Sequence, residues 1–203
     1  MNADYIATVQ LLLNIAPVVF KSPRFAMKGG TALNLFVQDL PRLSVDIDVV
    51  FVPYQLERDK ALIEIGKDLN TAKAQLHAMG YGADIRTTKA GDEVKLFVAD
   101  ERTQVKVEVN FVFRGTLYPP VFSELSTKAK DLFSLSVQLP TLIVPELYGG
   151  KLVAALDRQH PRDIFDVLQM YEKFGMPESF VDSFVAYLAG HNRPVHEVLF
   201  ANP

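Results

Sequence analysis

Apolar and polar positions run in two different rhythms along this chain, and the change of rhythm divides it into elements. Val45 to Val52 (V-D-I-D-V-V-F-V) is a β-branched run bounded by Pro41 and Pro53, and Val105 to Val112 (V-K-V-E-V-N-F-V) alternates with period two. Both read as strands. Arg24 to Met27 reads as a short strand, Lys28-Gly29-Gly30 as a turn, and Thr31 to Val37 as a helix with Ala32, Leu33, Leu35 and Phe36 at helical spacing. Asp4 to Phe20 predicts an amphipathic helix, and Tyr54 to Met79 a long helical segment weakened at Gly66. Tyr81 to Thr88, Glu93 to Ala99 and Thr103 to Phe113 read as antiparallel strands, separated by turns at Gly91-Asp92 and Asp100-Glu101. Leu117 to Lys130, with Pro119-Pro120, reads as irregular, and Ser136 to Leu139 as a short strand. From Pro145 to about Phe200 the pattern is helical; one helix starts at Pro145 and ends near Arg158, and Pro161 opens the next. The expectation is an α/β fold: a mixed β-sheet flanked by helices over residues 1–140, then a C-terminal helical subdomain over 141–203.

Chemistry enters with the acids on the first of these strands. Side chains alternate across a strand, so Asp46 and Asp48 emerge on one face and Ile47 on the other. Two carboxylates converging in an apolar strand repel each other, and a divalent cation with a taste for hard oxygen, Mg²⁺ or Mn²⁺, relieves that repulsion. The plainer reading is an edge strand with a solvated polar face. The glycines upstream favour the first. Glycine permits positive φ and close approach of a ligand to the backbone, and the first turn of the helix that follows offers free N–H groups to a phosphate. Thr31 would cap that helix or bond a phosphate oxygen. On the later strand Glu108 shares a face with Lys106 and Asn110. If the two strands are neighbours, Glu108 reaches the same place, as metal ligand, general base or both.

K-G-G-T-A-L-N-L-F, followed by P-R-L-S-V-D-I-D-V-V-F, resembles the signature of the nucleotidyltransferase superfamily, and more narrowly the AbiEii/AbiGii group of toxins from abortive-infection and toxin–antitoxin systems. Downstream, P-E-L (145–147), K-L-V-A-A-L-D-R (151–158) and P-R-D-I-F-D (161–166) resemble the C-terminal signature of the same group. The resemblance implies a nucleotidyltransferase fold with its nucleotide cleft between core and helical subdomain. It implies that Lys28, Gly29, Gly30, Thr31 and Ser44 bind the nucleotide, that Asp46, Asp48 and Glu108 hold the metal, and that Lys151 meets the triphosphate. It further implies that Asp163 positions Lys151 or the substrate and that Arg162 contacts phosphate or RNA. For Asp166 the simpler expectation is a pair with Arg162, four residues earlier. The implied reaction moves a nucleoside monophosphate from an NTP to an acceptor hydroxyl, with the tRNA 3′ end as the implied acceptor, in a toxin restrained by a cognate antitoxin.

Composition narrows the partners. With 49% hydrophobic and 22% charged residues the chain can bury a core, and the absence of cysteine excludes disulfides and thiolate metal sites, consistent with a cytoplasmic protein. No apolar run reaches the ~18 residues of a membrane span, and the N-terminus lacks the basic start of a signal peptide. A net charge of −3 counts mildly against a dedicated nucleic-acid binder. Basic residues such as Arg42, Lys89, Arg114, Lys128 and Arg158 would still steer a polyanion if they lined one cleft. The four histidines lack short ligand spacing, and His160 reads as a loop residue beside Pro161. Two other readings stand beside the first: a small-molecule nucleotidyltransferase of the antibiotic-modifying kind, and a nucleotide-sensing or partner-binding module without turnover.

Overall fold

A seven-stranded mixed sheet carries the fold. The computed structural model describes residues 3–87, 93–110 and 114–200. The expected turn at Gly91-Asp92, Lys89 and the strand ends at Thr88 and Phe111–Phe113 lie outside them. The elements run α1 (Ala3–Val19), β1 (Phe25–Lys28), α2 (Gly29–Ala32), a π-helical turn (Leu33–Val37), β2 (Asp46–Phe51), α3 (Arg58–Ala78), β3 (Gly82–Thr87), β4 (Glu93–Ala99), β5 (Gln104–Asn110), β6 (Val121–Glu124), α4 (Thr127–Phe133), β7 (Gln138–Thr141), α5 (Val144–Arg158), α6 (Pro161–Phe174), α7 (Ser179–Ala189) and α8 (Val195–Leu199). Strand order is β3-β4-β5-β2-β1-β7-β6. The β2–β5 and β1–β7 pairs are parallel and the others antiparallel.

The period-two pattern explains which side of the sheet is dry. Ile47, Val105, Val107 and Val109 are fully buried in the main core. Helices α1 and α3 pack on the sheet, the first through Leu11, Leu12, Ile15 and Ala16, the second through Ala61, Ile65, Leu69 and Leu76 at near-helical intervals. Arg24, just before β1, fastens the sheet to α3 by donating to Asp68 (Nε to Oδ2, 2.8 Å) and to Glu64. Leu147, Tyr148, Met170 and Phe180 of the C-terminal helices belong to the same core cluster as the sheet, while Val153, Leu188 and Val198 form a small cluster beyond it.

Four expectations need correction. The helix expected from Thr31 begins at Gly29 and widens into a π turn at Leu33, an arrangement that recurs at functional sites. The stretch 117–130 is not irregular throughout. It holds β6, an edge strand starting immediately after Pro119-Pro120, and the start of α4, which Ser126 caps by accepting from the Ala129 N–H. The long helix starts at Arg58, four residues after Tyr54, and the strand expected at Ser136–Leu139 is shifted to Gln138–Thr141.

Since Ile47 is wholly enclosed, Ile47→Ala is expected to lower stability by about 2–5 kcal/mol in urea denaturation, with Ile63→Ala on the exposed side of α3 changing it by less than about 0.5 kcal/mol.

Candidate active site

Strand register builds the site. Lys28 on β1 lies opposite Asp48 on β2, Asp48 opposite Glu108 on β5, and Glu108 opposite Lys95 on β4. A row of charges, plus-minus-minus-plus, thus crosses four strands on one face. One step along, Asp46 lies opposite Lys106. The carboxylates therefore meet as the alternation required, on the face opposite Ile47.

Their electrostatics follow from crowding. Burial pushes the Asp48 carboxyl above the ordinary aspartate value; Glu108 and Asp46 push the same way, against Lys28 and Lys151. Burial likewise pulls the Lys28 ammonium down, with Arg158 adding to that, while Asp48 and Glu146 oppose it. For Glu108 burial also acts upward. Hydrogen bonds from Lys95 (2.8 Å) and the nearby Lys106 (3.2 Å) outweigh it, so this carboxyl stays below its usual value. Lys106 Nζ also lies 3.7 Å from Asp46 Oδ1. No three His, Asp or Glu side chains among the described residues stand ready as a metal cage. The donor chemistry nonetheless suits a hard cation. Asp46 and Asp48 offer oxygens on one face beside Glu108, and Lys106 supplies positive charge between Asp46 and Glu108.

The glycine turn abuts this face. Gly29 has φ +74°, and a Cβ placed there would lie 2.0 Å from Asp48 Oδ2. Only a residue without a side chain lets the backbone pass the carboxylate. At Gly30 a Cβ would meet Arg42 Nη2 at 3.0 Å and Ser44 Oγ at 3.1 Å. The Thr31 hydroxyl donates to the Asp46 carbonyl and lies 2.9 Å from Ser44 Oγ, tying the turn to the carboxylate strand. In the π turn the Asn34 amide donates to the Gly30 carbonyl (2.8 Å) and to Asp166 Oδ1 (3.3 Å).

Helices α5 and α6 close the other side. Lys151, only 7% exposed, places its ammonium 3.0 Å from Asp163 and 3.1 Å from Asp166. Arg158 holds the second Asp163 oxygen at 2.9 Å. Asp166 does not pair with Arg162. It is buried, and Arg42 grips it through Nε (2.7 Å) and Nη2 (2.5 Å). Burial pushes its carboxyl up, but Arg42 and Lys151 prevail and hold it below the ordinary range. Arg162 is exposed and lines, with Tyr5, Arg42, Ser44 and Asp46, a cavity of about 320 Å³ beside the carboxylates. His160 is a helix cap whose Nδ1 accepts from the Arg162 N–H, in agreement with a loop role.

Lys95, Lys106, Asn34, Arg42, Asp166 and Glu146 thus join the site without having been assigned to it from sequence. Glu146 is fully buried, accepting from the N–H groups of Leu117 (3.0 Å) and Tyr118 (3.4 Å) and from the Tyr187 hydroxyl (3.2 Å). The period-two pattern had placed Lys106 beside Glu108; the others depend on long-range pairing.

A family model described as "Nucleotidyl transferase AbiEii toxin, Type IV TA system" matches residues 10–203. The fold is similar to that of MenT4, a nucleotidyltransferase toxin from Mycobacterium tuberculosis H37Rv, with a TM-score of 0.69 and 17% identity over 98% of this chain and 73% of that one. No curated protein sequence matches at a significant level. The chain belongs to the AbiEii family and is a nucleotidyltransferase toxin of the type IV toxin–antitoxin class. Among the described residues no helix is long and apolar enough to cross a membrane.

Asp166 offers a direct check on the closure. Asp166→Ala leaves Arg42 and Lys151 without their shared counter-charge and is expected to cost about 3–5 kcal/mol in denaturant titration. The carboxyl is depressed in the fold, so its contribution is complete above the ordinary aspartate value of about 3.9 and fades as pH falls toward the depressed value. The gap between variant and wild type should therefore narrow below about pH 4.

Proposed function

We propose that the protein transfers a nucleoside monophosphate from an NTP to the hydroxyl at an RNA 3′ end, that of tRNA, with Mg²⁺ or Mn²⁺ as cofactor. The observation that carries this reading is the shared face on which Asp46, Asp48 and Glu108 meet the Gly29-Gly30 turn, with Lys28 and Lys151 as cations nearby. Asp46 and Asp48 would hold the metal, joined by Glu108 once it exchanges its lysine partners. When bound, the metal supplies charge neutralisation at the reacting phosphates.

The chain's own groups do the rest. Gly29 and Gly30 present backbone close to Asp48, giving the triphosphate an approach that no side chain obstructs. Thr31 and Ser44 add hydroxyls at the same turn, and Lys28 adds a cation. Lys151, held by Asp163 and Asp166, is a fixed ammonium that would face the triphosphate as negative charge shifts to the departing pyrophosphate. The acceptor oxygen forms its bond to the α-phosphorus as the bond to pyrophosphate breaks, and the acceptor proton passes to a carboxylate of the row. Glu108 is the candidate for that role, since Asp46 and Asp48 are given to the metal.

An RNA acceptor, rather than a small molecule, is favoured by the cavity beside Asp46. It is open rather than enclosed, and Arg42, Arg162, Ser44, Asp46 and Tyr5 line it together with Leu43 and Val45. The family's type IV toxin–antitoxin class supports a cognate antitoxin as partner, and the same reading places the action on RNA in the cytoplasm.

Incubation with each α-³²P-labelled NTP, total tRNA and Mg²⁺ tests the reading. Wild type is expected to label tRNA with at least one nucleotide, and Asp46→Ala/Asp48→Ala to reduce the rate by ~10³-fold or more, as loss of several kcal/mol of charge stabilisation requires. Absence of labelling with every nucleotide, in protein that still binds NTP, would sink the tRNA acceptor.

A further inference from the structure

The first turn of α1 brings an aromatic ring to the cavity beside the carboxylates. Tyr5 is 43% exposed and lines that space of about 320 Å³ with Leu43, Val45, Arg42, Arg162 and Asp46. Its place is fixed from behind. Val9, one helical turn on, is fully buried. The Thr8 hydroxyl donates to the Asp4 carbonyl (2.8 Å) and lies 2.6 Å from the Thr103 hydroxyl, just before β5. Arg42 is fixed as well, by its two-pronged pair with Asp166. Arg162 is exposed, and among the described residues neither its guanidinium nor the Tyr5 hydroxyl has a hydrogen-bond or ion-pair partner.

The chemistry of this lining selects a type of ligand. A ring flanked by Leu43 and Val45 suits a flat group with apolar faces, and an unneutralised guanidinium suits a phosphate. Asp46, the one acid in the lining, would repel an anion on its own but is given to the metal. The volume lies at the lower end of ligand sites, which suits one nucleoside unit rather than a duplex. Every base presents a π face, so one aromatic ring receives any of them.

We propose that Tyr5 is the base-stacking residue of the site: a nucleobase lies on its ring, and Arg162 meets the phosphate of the same nucleotide. The proposal rests on the nucleotide-transfer reading above. The base belongs either to the incoming NTP or to the 3′-terminal nucleotide of the acceptor, and the recognition chemistry is the same for both. Tyr5 precedes the segment that the family model matches, residues 10–203, so the family's signature assigns it nothing.

The chain has no tryptophan, so Tyr5→Trp places a single reporter at the ring's position. Its fluorescence is followed against each NTP with Mg²⁺, and separately against a short single-stranded oligoribonucleotide without NTP. Calorimetry gives the affinity of wild type for the same probes. The expected result is saturable quenching by at least one probe, at the concentrations where wild type binds it. Quenching by NTP identifies the donor base, and quenching by the oligonucleotide the acceptor base. Tyr54→Trp, exposed beyond the far end of β2, should show no quenching. Tyr5→Ala should bind the quenching probe roughly tenfold or more weakly, while Tyr5→Phe, which keeps the ring, stays within about twofold of wild type. A probe that wild type binds but that leaves the Trp signal unchanged, or that Tyr5→Ala binds as tightly as wild type, would overturn the proposal. A wild type that binds neither probe would overturn the nucleotide-transfer reading itself, and this proposal with it.

Discussion

Two carboxylates side by side on parallel strands, Asp48 and Glu108, set the terms for everything around them. Like charges in a partly desolvated place must be compensated by cations, by protons or by both. Lys28 and Lys95 stand at the ends of the row, Lys106 bridges Glu108 and Asp46, and burial lifts Asp48 toward its protonated form. The strand face is thereby kept from packing against an apolar partner. It must border a cleft, and the Gly29 turn, with no side chain to collide with Asp48, gives that cleft a floor.

The same logic continues into the C-terminal helices. Lys151 is drawn to the carboxylate face but is buried, so it needs acids of its own, and Asp163 and Asp166 supply them. Asp166 in turn needs Arg42, which comes from the loop before β2. Arg158, Asp163, Lys151, Asp166 and Arg42 form an alternating chain that joins the helical segment to the glycine turn, and Arg42 at its end also lines the cavity beside Asp46. Electrostatic closure and site assembly are thus one event. A fold of this kind is suited to phosphoryl chemistry, because fixed charges are already in place where negative charge must be held.

Local pattern was enough to read the strands, the flanking helices and the carboxylates on one face, because alternation and helical spacing are short-range properties. Glu108 was legible for the same reason, once β5 is known to lie beside β2. Arg42 was a different matter. It pairs with an acid 124 residues later, and no local rule joins the two; the nearer Arg162 was the natural but incorrect partner. Pro119-Pro120 marked an end to regular structure, yet the strand begins at the very next residue on a sheet edge, where a missing donor costs little. Glu146 was quoted only as part of a motif. Its burial against the Leu117 and Tyr118 amides is a tertiary fact, and no local signal announced it.

The central claim is that the carboxylate row and the glycine turn together make one metal-dependent nucleotide site. Calorimetric titration of a non-hydrolysable NTP analogue, with Mg²⁺ and with chelator, tests this most directly on wild type and on Asp46→Asn/Asp48→Asn. Saturable binding by wild type that needs Mg²⁺ and disappears in the variant is the expected result. Binding of equal strength without the metal, retained when both aspartates are gone, would contradict the claim.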